Sequence, residues 1–82
     1  MLQLDLNVPN QLLERAIANI CAPVGHALSV KVRRLSSVYA LIEMSKREQA
    51  DELAVKFGGS TFGSHALIHV EQGESPIEAL AD

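Results

Sequence analysis

The stretch Val38-Tyr39-Ala40-Leu41-Ile42-Glu43-Met44 places Val38, Ala40, Ile42 and Met44 at every second position, with Tyr39, Leu41 and Glu43 between them. Side chains of a strand alternate between the two faces of its sheet, so this pattern predicts a β-strand with one buried face. The only tyrosine of the chain then stands on the opposite, uncovered face.

The neighbouring segments give this strand its partners. Leu2, Leu4, Leu6 and Val8 alternate with Gln3, Asp5 and Asn7 and predict a first strand. Pro9 and Asn10 open a helix with Asn10 as N-cap, carried by Leu13, Ala16, Ile17, Ile20 and Cys21 at helical spacing and closed by Pro23 and Gly25. Leu28, Val30 and Val32 alternate with Ser29, Lys31 and Arg33 as a second strand, and the polar link Arg34 to Ser37 reads as a hairpin connection to the quoted stretch. Ser45 and Glu48 form a capping box that starts a second helix; Ala50, Leu53, Ala54 and Phe57 are its apolar stripe, and Gly58-Gly59 ends it. After a turn through Gly63-Ser64, Ile68 and Val70 alternate with Leu67, His69 and Glu71 as a fourth strand.

The resulting order predicts an α+β fold: a ferredoxin-like βαββαβ sandwich with a four-stranded antiparallel sheet and two helices on one face. The open face should display Gln3 and Asp5, Lys31 and Arg33, Tyr39, Leu41 and Glu43, and Leu67, His69 and Glu71. Residues 1–72 make one domain and residues 73–82 an acidic tail, in which Ser75, Pro76 and Glu78 repeat a capping-box pattern and predict a short helix over 76–81. Folded over the sheet, the apolar side of that helix would cover Tyr39 and Leu41.

Composition narrows the function classes. A chain of 82 residues supports one core, burying roughly 60% of the surface exposed on unfolding. No apolar run approaches the ~18 residues of a membrane span, the N-terminus lacks a secretion signal, and one cysteine forms no internal disulfide, which together suggest a cytoplasmic protein without a membrane partner. The net charge of -3 is unevenly spread: residues 1 to 70 hold seven bases against six acids, and the remaining four acids lie in the last twelve residues. A near-neutral domain is suited to a single-strand binder that relies on stacking, and not to a sequence-blind electrostatic one.

The segment Ser37 to Met44 resembles the octamer of RNA recognition motifs, in which Tyr39, Ala40, Ile42 and Glu43 fit while Ser37, Val38, Leu41 and Met44 depart. Ala22-Pro23-Val24-Gly25 looks like the family's segment before the second strand, and Gly59-Ser60-Thr61-Phe62-Gly63 like its turn before the last strand. The chain is similar to a degenerate, single-domain, bacterial-type member of that family. In the family, aromatics at the third and fifth octamer positions and at the second position of a first-strand hexamer stack on bases or sugars. Tyr39 keeps the third position, Leu41 occupies the fifth, and the hexamer position falls on Asp5.

What the resemblance implies is modest binding of single-stranded RNA. Tyr39 stacks a base, Leu41 and Leu67 give apolar support, Lys31, Arg33 and Arg34 contact phosphates or base edges, and Asp5 and His69 belong to the same face. The alternative is a homodimer or protein-interaction module that uses the same face, because its aromatics are mostly replaced by aliphatics. No catalytic machinery, cofactor, metal or small-molecule substrate is indicated. His65 and His69, four apart on a strand, are over 13 Å apart at ~3.4 Å per residue and too distant to share a metal. Cys21 reads as core. Acylphosphatases share this order of elements, but Asn7 to Asn10 contains neither the glycine nor the arginine of their loop.

Overall fold

A computed structural model describes residues 1–73. Its elements run β1 (Leu2–Leu4), α1 (Asn10–Cys21), β2 (Ala27–Arg34), β3 (Val38–Met44), α2 (Arg47–Phe57), β4 (Ser60–Phe62) and β5 (His65–Gln72). The sheet follows the order β1-β5-β3-β2, and β4 also pairs with β5. The expected helix over 76–81 and its cover of Tyr39 and Leu41 lie outside the described residues.

Both helices pack on one face. Leu13, Ile17 and Cys21 of α1 and Ala50 and Leu53 of α2 share a core with Leu2, Leu4, Val32, Ala40, Ile42, Met44, Ala66, Ile68 and Val70 of the strands. These are the inward positions of the period-two pattern, so alternation correctly identifies the buried face of β1, β3 and β5.

The expectation of four antiparallel strands is corrected on two counts. First, Ser60–Phe62 is a strand and not part of a turn: it pairs antiparallel with β5 through Ser60↔Leu67, Thr61↔Ala66 and Phe62↔His65. Second, β1 runs parallel to β5, with Leu2↔Val70 and Leu4↔Gln72. The sheet is therefore mixed, and β5 separates β1 from β3. Because β3 and β4 are both antiparallel to β5 on its two sides, they run in the same direction, and α2 joins them across β5.

Three local expectations also change. The first strand ends at Leu4, because the Asp5 carboxylate accepts a hydrogen bond of 2.9 Å from the Asn7 N–H and turns the chain. Leu28 is 55% exposed and not buried: the β2–β3 register shifts between Ala27 and Ser29, which takes Leu28 out of the alternation. Neither predicted N-cap forms. Asn10 is the first residue of α1 and its Oδ1 accepts from Arg34, while α2 starts at Arg47 with Ser45 bonded to Gln49 at 3.0 Å.

Two glycines shape the exit from α2. Gly58 takes the left-handed conformation that stops the helix, with φ of 72°. A Cβ on Gly59 would collide with the Leu67 carbonyl oxygen, so only glycine lets the chain pass close enough to β5 to begin β4.

Candidate functional site

The strand pairings arrange the face opposite the helices in rows. Arg33, Tyr39 and His69 make one row; Lys31, Leu41, Leu67 and Ser60 the next; Ser29, Glu43, His65 and Phe62 the third. Glu71 and Gln3 lie side by side at the far end of β5. Rows follow one another at about 7 Å and neighbouring strands at about 4.8 Å.

The first row carries the chemistry singled out from the sequence. Tyr39 is half-buried on β3, on the face opposite the helices, and its ring lies 5.2 Å from that of His69 on β5, with the planes tilted by 31°. The two residues are register partners, so their closeness follows directly from the strand pairing. Such a separation is usual for interacting rings, and the contact helps to hold the tyrosine in place. Arg33 is the cross-strand partner of Tyr39 on the other side and is exposed, as is Lys31 beside Leu41.

The face also bears two carboxylates. Glu43 lies 3.4 Å from the Ser29 hydroxyl and 3.9 Å from His65 Nε2. Glu71 lies 3.8 Å from His69 Nδ1, an attraction that requires a protonated imidazole. Among the described residues no ion pair engages Lys31 or Arg33. Two bases and two carboxylates leave the face near electrical balance, but they are segregated: the bases lie together on β2, next to Tyr39 and Leu41.

Two expected site residues are placed elsewhere. The Arg34 guanidinium donates to the carbonyls of Leu6 and Val8, each at 2.8 Å, and to Asn10 Oδ1 at 2.6 Å. It fastens the β1–α1 connection and is not available to phosphate on the open face. Asp5 lies beyond the end of β1, where its Oδ1 accepts from Asn7 and approaches Gln72 Nε2 at 3.5 Å. The position that would carry the family's first-strand aromatic is thus a turn residue, with β5 between it and Tyr39.

One residue missed from the sequence belongs to the face. Phe62 pairs with His65 in β4 and is 60% exposed. The sequence does carry a signal for it: Ser60-Thr61-Phe62 and His65-Ala66-Leu67 flank Gly63-Ser64, and strand-like runs separated by a two-residue Gly-Ser link suggest a hairpin.

Among the described residues no cluster of three or more His, Cys, Asp or Glu is placed to hold a metal ion, and no helix is long and apolar enough to cross a membrane. Cys21 is buried, and that burial pushes its thiol up from the ordinary 9.0 to about 11, against a small opposing effect of the Lys56 charge. Compared with known protein families, with curated proteins and with solved structures, the chain gives no match.

Proposed function

We propose that the open sheet face is a binding surface for single-stranded RNA of modest affinity. The observation that carries this reading is the row Arg33–Tyr39–His69, in which a guanidinium, a phenol ring and an imidazole lie side by side on the strand surface opposite the helices. A base can stack on the tyrosine, the arginine is within reach of its phosphate or edge, and Leu41 and Leu67 form an apolar floor beside it. Lys31 extends the basic flank. His69 takes the place that a first-strand aromatic has in RNA recognition motifs, since β5, and not β1, is the neighbour of Tyr39.

This reading treats the fold as a variant of the ferredoxin-like plan. A split βαβ unit is kept, with β5 between β3 and β4 and α2 as the crossover; β1 sits at the flank, so the family's first-strand hexamer has no seat beside the octamer. The protein would be a non-catalytic, cytoplasmic binding module.

Replacing Tyr39 by alanine tests the reading. Loss of one stacking platform removes about 1 to 3 kcal/mol, and the loss should persist at high salt because stacking releases few counterions. A second reading, a protein contact, is favoured by the direct pairing of Leu41 with Leu67 at the centre of the face. Under it Leu41→Asp alters sedimentation while Tyr39→Ala leaves RNA titrations unchanged.

A further inference from the structure

Phe62 has no role in the core and none in the row that contains Tyr39. It occupies an edge strand of three residues, pairs with His65 and is 60% exposed, on the same face as Tyr39. Register partners share a face, and His65, Leu67 and His69 alternate with the buried Ala66, Ile68 and Val70, so Phe62 and Tyr39 stand on one platform. They are two rows apart along the strands and two strands apart across them, giving a separation of about 17 Å from the strand rise and spacing.

The charges on the face select a path between them. A ligand that ran straight along β3 from Tyr39 would meet Glu43, and one that followed β5 past His69 in the other direction would meet Glu71. The diagonal from Arg33 and Tyr39, over Leu67, to Phe62 avoids both carboxylates. It begins at the two β2 bases and crosses the apolar centre.

Resting on the RNA reading above, we propose that Phe62 is a second base-stacking station and that the face takes a strand laid obliquely from Tyr39 to Phe62. A dinucleotide is then too short to engage both rings. The span calls for about 4 nucleotides or more, the lower end of known single-strand site sizes.

The test is a length series. Randomised-sequence RNA of two, four and eight nucleotides is titrated into the full chain, wild type and the variants Phe62→Ala, Phe62→Trp and Tyr39→Ala, with backbone amide shifts as the readout. Thermal melts confirm that each variant is folded; Phe62 is an exposed edge residue whose removal leaves the core intact. The proposal expects Phe62→Ala to lower affinity for the eight-nucleotide pool by about 5- to 150-fold, Phe62→Trp to retain it, and the amides of residues 60 to 65 to shift with eight nucleotides but not with two. If Tyr39→Ala weakens binding and Phe62→Ala does not, the second station is rejected and the first stands. If neither substitution changes binding, or no length of RNA binds, both readings are overturned.

Discussion

Arg33 and Arg34 are adjacent in the chain and serve different purposes, because successive residues of a strand point to opposite faces. Arg33 lies on the open side beside Tyr39, whereas Arg34 reaches the loop between Leu6 and Asn10 and satisfies two backbone carbonyls there. Arg34→Ala should therefore destabilise the fold by about 1 kcal/mol in urea titrations and leave the salt dependence of RNA binding unchanged. Arg33→Glu should do the reverse, preserving stability and flattening the slope of log affinity against log salt by about 0.7 for each phosphate no longer neutralised. Cys21 gives a third prediction at this scale. Its folded thiol holds the proton up to about 11, while the unfolded thiol releases it near the ordinary 9.0. The resulting stabilisation is complete below the lower value and is lost as pH rises through the upper one. Urea midpoints measured across this window should fall with pH in the wild type and fall less in Cys21→Ala.

The elements are legible in the sequence where hydrophobic periodicity alone decides them and obscure where hydrogen bonds to side chains decide them. Alternation finds the inward faces of β3 and β5, and helical spacing finds the stripes Leu13, Ala16, Ile17, Cys21 and Ala50, Leu53, Ala54, all buried. It fails at Asp5, where an Asx turn cuts β1 short, and at Leu28, where a bulge breaks the register. A carboxylate's partner and a one-residue bulge leave no trace in hydrophobic pattern. Neighbour order is also illegible, since alternation says which way a side chain points and nothing about which strand lies alongside. The edge of β2 shows how an element is protected: Glu14 of α1 accepts the Val32 N–H at 2.9 Å, the bulge lies near its start, and Lys31 and Arg33 line its outer face. At the other flank, the α2–β4 passage depends on close approach. Gly58→Ala should cost about 1 kcal/mol for its left-handed backbone. Gly59→Ala should cost more, because the new methyl group meets the Leu67 carbonyl oxygen and must displace β4 from β5. Urea denaturation that ranked these two variants the other way would contradict the packing described for this passage.

At the scale of the molecule, a sheet backed on one side by two helices leaves its other side as the surface on which Tyr39, His69 and Phe62 collect. Of that surface, Tyr39, Leu41, Lys31, Arg33, Leu67 and His69 are legible in the sequence because they follow from the parity of single strands. Phe62 is harder to read, because it depends on recognising a short hairpin, and the partnership of Tyr39 with His69 depends on a pairing that only tertiary structure supplies. The net charge of -3 sets the electrostatic scale. A molecule without a basic surplus gains little from counterion release, so its affinity should rest on stacking and vary weakly with salt. The most direct test is a titration of wild type and Tyr39→Ala with a randomised single-stranded RNA pool at about 50 mM and about 200 mM salt, a range over which phosphate contacts are usually resolved. The account predicts saturable binding by the wild type with a shallow salt slope, and a loss of about 5- to 150-fold in the variant at both salts. Equal affinities for the two proteins, or a loss that disappears at the higher salt, would contradict it.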